Sequence, residues 1–328
     1  ADLILDEGQK YMYLMGFIGI QMMISSILSS SYREIGRVRV ILVITLIAAG
    51  SNAFLNWVLI YGHLGMPRLE VEGAAYATII AKTVEMLLLI GYTIKERPEF
   101  ISFSVFKRID WALFGRILKK GSLLIISQMM WVLSESFTAA IYNGRGNAAV
   151  VSGMAASFSI ANLFFISFDG ITTATGVLIG KSLGKNELDH ARKEKTWMLS
   201  AAIIFGCIMC LVGVVTVLLV PVVFGNLSID AQNICRAMLL LMALFMPLWT
   251  YVNTQLAVCR AGGDTKVGFL VDGGTTAVMI PMLLILAFFT NASPVMMYFG
   301  VKALDVGKII VATHEMKKER WVVNLSNG

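Results

Sequence analysis

The sequence predicts an all-α membrane protein, a polytopic helical bundle, from three observations. First, 57% of its 328 residues are hydrophobic and only 15% are charged, outside the usual globular mix. Second, residues 11–32, 40–67, 196–229 and 237–259 hold no Asp, Glu, Lys or Arg. About 20 apolar residues span a bilayer as a helix, which satisfies its own backbone polar groups in hydrocarbon. Third, 20 of the 27 Lys and Arg fall in five segments, 33–39, 95–120, 181–195, 260–266 and 317–320. The intervening gaps carry only Lys10, Arg68, Arg145 and Arg236, the asymmetry of the positive-inside rule.

Nine transmembrane helices follow in order: 11–32, 40–62, 74–94, 121–143, 148–180, 196–224, 233–259, 267–289 and 293–313. Each is bounded by charges or turn residues. The basic segments follow the odd-numbered helices, which predicts a cytoplasmic C-terminus and residue 1 outside. Segment 96–120 is polar, and Pro98 interrupts any helix there; it reads as a cytoplasmic linker between two lobes, 1–95 and 121–328. The +6 net charge is spent on membrane orientation. A nucleic-acid face would interleave its basic residues with aromatics on a soluble domain, so no nucleic-acid partner is expected. Cys207 and Cys210 have CxxC spacing inside an uncharged span, with no second ligand pair, and read as buried, inert thiols. No basic start of a cleavable signal is present at the beginning of the sequence.

An internal repeat sharpens the architecture. Arg33-Glu-Ile-Gly36-Arg-Val-Arg39-Val40 follows the first helix, and Arg260-Ala-Gly-Gly263-Asp-Thr-Lys266-Val267 follows the seventh. Both fit R-x-x-G-x-x-[RK]-V, with Gly permitting the bend and cations at headgroup level. Lys82 and Glu85 in the third helix are echoed by Lys302 and Asp305 in the ninth, each pair spaced to neutralise itself on one helix face. Helices one to three therefore match seven to nine, and four to six lack partners. The expectation is two parallel pseudo-repeat lobes of six helices, twelve in all, the 1–95 lobe being incomplete and about three helices, on the order of 110–120 residues, preceding residue 1. Transporters are commonly built from such repeats.

The sequence resembles the multidrug and toxic compound extrusion (MATE) family of cation-coupled antiporters. The resemblance rests on Asn56–Gly62, His63-Leu-Gly-Met-Pro67, Val71–Thr78, Gly176–Gly184 followed by Ala191, and Arg260-Ala-Gly-Gly-Asp264-Thr. It implies a V-shaped pair of six-helix lobes exporting organic, often cationic, compounds in exchange for H⁺ or Na⁺. It also implies no cofactor, lipid and small-molecule partners, a monomer, and a place in the cell membrane. Two departures stand out. Gln128 falls where many members have the acid of this helix, with Glu135 two turns further on. In the seventh helix, where some members place an Asp, this chain has Trp249, Asn253 and Gln255. The coupling ion is left open by these departures.

Ionised groups deep in a membrane are functional by default, costing at least about 2.5 kcal/mol to place there. Glu135, Asp169 and Asp272 are the interior acids without a Lys or Arg close by on their own helices. Glu135 lies about 13 Å from the nearer end of its helix at 1.5 Å per residue; Asp169 is as deep, and Asp272 is shallower. Gln128 with Glu135, and Asn162 with Asp169, share helix faces at i,i+7. Such stripes suit a water-filled cleft in which coupling ion (Na⁺ included) and cationic substrate compete for one carboxylate. The alternative is that each acid only hydrogen-bonds a neighbouring helix. Met129, Met130, Trp131, Phe164, Phe165 and Trp249 are candidates to line the cleft, ordinary packing being the alternative. Pro247 and Pro281 interrupt helix hydrogen bonding.

Thr175-Gly-Val-Leu-Ile-Gly180-Lys181-Ser182 approaches a phosphate-binding loop, but Thr175 replaces its first Gly and no strand precedes it. The charged stretch Lys185–Lys195 reads as a headgroup-facing helix. Two other functions are alternatives: a lipid-linked oligosaccharide flippase of the same superfamily, favoured by a basic cleft, and an integral membrane enzyme. Histidines only at positions 63, 190 and 314, at helix ends or in loops, argue against the enzyme.

Overall fold

The computed structural model describes residues 2–98, 110–290 and 292–323. The chain divides into two compact units, Ala1–Ile109 and Asp110–Gly328. Both are helical, and no strand occurs among the described residues.

The first unit holds α1 (Asp2–Met15), α2 (Ile18–Glu34), α3 (Val38–Tyr61) and α4 (Glu70–Glu96). The span expected as one helix over 11–32 is bent by 41° between α1 and α2. The bend falls at Gly16, whose N–H reaches both Met12 O and Tyr13 O, at 3.1 and 3.3 Å, where glycine offers least resistance to leaving the helix. Helix α4 packs against the other three. Tyr32 is fully buried and donates its hydroxyl to Thr93 Oγ1 at 3.0 Å, which satisfies a polar tip in an apolar interior.

The second unit holds α5 (Trp111–Arg145), α6 (Ala148–Gly184), α7 (Leu188–Val223) and α8 (Ile229–Ala261), then α9 (Thr265–Gly268), a π-helical segment (Phe269–Gly273), α10 (Gly274–Phe289), α11 (Pro294–Ala303) and α12 (Asp305–Lys317). Helix α8 is central, packed on α6 and α7. Met238, Met242, Met246, Thr250, Thr254 and Val258 are at most 1% exposed, a continuous i,i+4 stripe. The two threonines close their hydroxyls on the carbonyls four residues back, at 2.7 and 2.8 Å, so neither leaves an unmet donor. Helix α8 runs through Pro247 and α10 through Pro281 without ending.

Among the described residues, seven helices are long and apolar enough to cross a membrane, or eight with the bent α1–α2 pair, against nine expected. The ninth is divided at Leu304, where hydrogen bonds tighten to three-residue steps, Leu304 N to Val301 O at 3.2 Å and Gly307 N to Leu304 O at 2.9 Å. The resulting α11 and α12 have 10 and 13 residues. Helix α5 begins at Trp111, so part of the stretch read as linker is helical, while 99–109 lies outside the described residues. Lys185–Lys195 is no separate helix: α7 starts at Leu188 and runs on into the span. Cys207 is exposed and Cys210 half-buried, so these thiols sit on the outer face of α7 rather than inside.

The repeat is visible in the backbone. Gly36 and Gly263 have φ of +80° and +76°, a left-handed conformation that glycine adopts without a Cβ penalty. Each closes its helix with the same two hydrogen bonds. Gly36 N reaches Arg33 O at 3.0 Å and Arg37 N reaches Tyr32 O at 2.9 Å; Gly263 N reaches Arg260 O at 3.0 Å and Asp264 N reaches Cys259 O at 2.9 Å. This is a Schellman-type stop, used at corresponding points of both units.

Within each unit the basic segments converge. In the first, Arg37 binds Glu96 and donates to the Tyr92 hydroxyl at 3.0 Å. In the second, Arg192 binds Glu319 at 2.9 Å, and Lys195 lies 5.9 Å from the centre of the Trp321 ring. Trp321 is fully buried against the α8–α9 turn, where a Cβ on Gly262 would fall 1.8 Å from Trp321 O. Segments 181–195, 260–266 and 317–320 thus meet at one end of the second unit.

Candidate functional site: a charge cluster inside the second unit

Glu135 is not an isolated acid. Its Oε1 lies 3.0 Å from Lys302 Nζ, joining α5 to α11. The same ammonium stands 5.7 Å from the Trp249 ring centre and 5.5 Å from that of Tyr298, within cation–π range. Trp249, on α8, turns its Nε1–H to Asp305 Oδ2 at 2.8 Å, and Asp305 Oδ1 binds Lys308 at 3.1 Å. Two acids and two lysines therefore alternate through three helices, α5, α11 and α12, with Trp249 of α8 between the pairs. Burial makes this pairing obligatory, because a lone ion away from water carries a large desolvation penalty. The Lys302 side chain is 15% exposed and that of Asp305 8%, whereas Glu135 retains 34%.

The expected self-pairing of Lys302 with Asp305 does not form. Lys82 and Glu85, their counterparts in the first unit, do pair, at 2.8 Å. In the second unit α5 offers Lys302 a carboxylate across the bundle, and Lys308, one turn beyond Asp305, takes up the released acid.

Aromatic packing holds the cluster. Trp249 stacks on Phe245 at 5.7 Å and meets Phe165 edge-on at 5.9 Å. Tyr298 is 1% exposed and lies 6.4 Å from Tyr142, whose buried hydroxyl has no hydrogen-bond partner among the described residues. Asn253 donates to Trp249 O at 2.9 Å. Gln255 is fully buried and donates to Thr313 Oγ1 at 2.8 Å.

Asp272 forms a second, smaller polar site. It lies in the π-helical segment, a widened turn of a kind frequent at functional sites, and Ser127 donates to its Oδ2 at 3.1 Å. Met130 flanks this turn: a Cβ on Gly273 would fall 3.5 Å from its Sδ. Ser127 and Glu135 are eight residues apart on α5, about 12 Å along the axis at 1.5 Å per residue.

The remaining predicted residues do not join either site. Asp169, Gln128 and Asn162 are exposed, and no side-chain hydrogen bond or ion pair involves them among the described residues. Met129 and Trp131 are 60% and 48% exposed on the outer side of α5. Lys302, Tyr298, Asp305 and Lys308 were missed as site residues. An unexplained lysine inside an apolar stretch was the available signal, and its acidic neighbour three residues on masked it.

The fold and these internal charges define a polytopic helical integral membrane protein. Residues 124–285 match the MatE family model, and over that stretch the chain is similar to the MATE family. It is 26% identical over 299 residues to a probable multidrug resistance protein NorM of Mesorhizobium japonicum, covering 88% of this chain and 63% of that one. The fold is shared with a Vibrio cholerae MATE transporter, VcmN in the bent form, at TM-score 0.71 and 16% identity, over 95% of this chain and 72% of that one. A MOP superfamily transporter from Pyrococcus furiosus, described as having a binding pocket of reverse polarity, matches at TM-score 0.66 and 18% identity, over 81% and 58%. The chain spans less than two thirds of the length of the curated NorM relatives that it matches.

Proposed function

We propose that this chain acts in a secondary active exporter of organic, cationic compounds, driven by an H⁺ or Na⁺ gradient across the cell membrane. The match to the MatE family model and the likeness to the NorM relatives support multidrug efflux. The observation that carries the coupling is Glu135, a carboxylate inside a span that keeps one third of its surface open while it binds Lys302. An ion and a cationic guest that compete for this carboxylate exclude one another, which is the requirement for antiport. Asp272, with Ser127, is a second acid at which the same exchange takes place; Gln128 on the Glu135 helix, and Asn162 with Asp169 on α6, are further polar groups on the cation path, and Asn253 positions the Trp249 backbone. Met129, Met130 and Trp131 give the guest polarisable contacts. The protein works as a monomer with lipid and small-molecule partners, its basic ends and C-terminus in the cytoplasm, and needs no cofactor.

Efflux of ethidium from cells, measured with the ion gradient intact and collapsed, tests this reading. Export that stops on collapse supports it; dye retention indifferent to the gradient counts against it. Lys302 and Lys308 beside the two acids favour a second reading, a lipid-linked oligosaccharide flippase whose pyrophosphate would meet lysines. Restored cell-wall lipid export together with gradient-indifferent dye retention would select that reading.

A further inference from the structure

The surroundings of Lys302 are those of a bound organic ammonium. Its Nζ has a carboxylate at 3.0 Å and two aromatic rings at 5.5 and 5.7 Å. A carboxylate backed by aromatic faces recognises alkylammonium ions, and here the ion is tethered to the protein. We propose that Glu135, Tyr298 and Trp249 form a recognition cage for an organic ammonium, that Lys302 is its resident occupant, and that an exported cation enters as Lys302 leaves for Asp305. The inference rests on the export reading and specifies its substrate chemistry.

Geometry supplies the alternative seat. Asp305 follows Lys302 by three residues, a spacing at which Lys82 reaches Glu85 at 2.8 Å on α4. Asp305 is held by Lys308 on one oxygen and by the Trp249 indole on the other, so an arriving ammonium must share that second oxygen with Trp249. Between the two charges the backbone stays helical at Leu304, with a turn tightened to three-residue hydrogen bonds, so Asp305 stays on the helix face next to Lys302. A tethered occupant competes at an effective concentration on the order of mM. It therefore keeps sparse or weakly bound cations out while letting a guest with larger apolar contact displace it.

The test uses purified protein in detergent and n-propylammonium, the group removed by Lys302→Ala. Calorimetric titration is expected to give binding at least about tenfold tighter in Lys302→Ala than in wild type, in line with loss of a tethered competitor. The gain should vanish in the Glu135→Gln/Lys302→Ala double variant. No gain, or a gain that survives in the double variant, overturns the cage. Should Lys302→Ala not fold, Glu135→Gln decides, since it frees Lys302 while keeping a hydrogen-bonding amide. Its tryptophan emission should shift, with no such shift when Trp249→Phe is also present; unchanged emission overturns the switch. Binding is read on isolated protein and export in cells, so a cage that binds in a chain that exports nothing would reject the export reading alone.

Discussion

Lys302 reaches across the bundle to Glu135 at 3.0 Å instead of closing on Asp305 one turn along its own chain. This choice ties α5 to α11 and leaves Asp305 to Trp249 and Lys308. The two ion pairs are thus coupled through one indole ring, and a change at Glu135 is felt at Asp305.

Removing one member of the Glu135–Lys302 pair should harm stability more than removing both. A single Lys302→Met change leaves a carboxylate without its counter-ion. Because Glu135 remains one-third exposed, solvent softens the loss to about 1–3 kcal/mol, below the range for fully buried pairs. Glu135→Gln/Lys302→Met should recover most of the melting temperature while export stays lost. Thermal melts in detergent check the first expectation, and dye efflux from cells checks the second. A double variant less stable than Lys302→Met would contradict the pairing.

Asp272 offers a separable effect. Asp272→Asn keeps an acceptor for Ser127 but removes the charge, so folding should hold within about 1 kcal/mol, a typical hydrogen-bond contribution. Export should fall at least about tenfold if the acid exchanges ions. Ser127→Ala should leave export within about threefold, since the hydroxyl only orients the carboxylate. Equal losses in the two variants would make the site structural.

Much of the architecture could be read from the chain, because lipid imposes hard rules. Uncharged runs of membrane length and clustered Lys and Arg marked most of the spans, and Gly36 and Gly263 marked the same helix stop twice. Local geometry was harder. The bend at Gly16 sits in a run without charge, and the break at Leu304, between Lys302 and Asp305, carries no Pro or Gly of its own. For the site, Glu135 and Trp249 were visible as an intramembrane acid and an aromatic, but not as neighbours. Their connection runs through Lys302, more than 160 residues from Glu135 in sequence, and only packing reveals which of two acids it takes. A charge pair at i,i+3 is a local suggestion that a tertiary partner overrides.

Gly262 is a place where one methyl group should matter. A Cβ there would fall 1.8 Å from Trp321 O, far inside van der Waals contact, and the atom it meets is backbone. Gly262→Ala should therefore displace the turn after α12 and destabilise the protein by about 1–3 kcal/mol, the range for overpacking. Trp321→Ala should cost about 3–5 kcal/mol, as for other buried aromatic deletions. If a melting curve of Gly262→Ala matches wild type, the close approach is wrong.

The docked C-terminal turn should also respond to pH, and the sign is fixed by Glu319. Hydrogen bonds from Arg192 hold its carboxyl below the ordinary glutamate value, about 4.3 in unfolded chains. A carboxyl lowered in the folded state stabilises above its unfolded value, and that contribution is lost as pH falls through the folded value. Glu315 is lowered in the same sense, chiefly by its hydrogen bond from Lys318. Protection of residues 317–323 against hydrogen exchange should hold from pH 7 to about 5 and then decline on further acidification. Glu319→Gln should lose that protection already at pH 7, and high salt should weaken it in the wild type, since the pair is half-exposed and screened. Arg192→Lys should retain part of it, keeping the charge without the two-pronged contact. Protection that is flat to pH 3, or unchanged in Glu319→Gln, would mean that Trp321 alone fastens the turn.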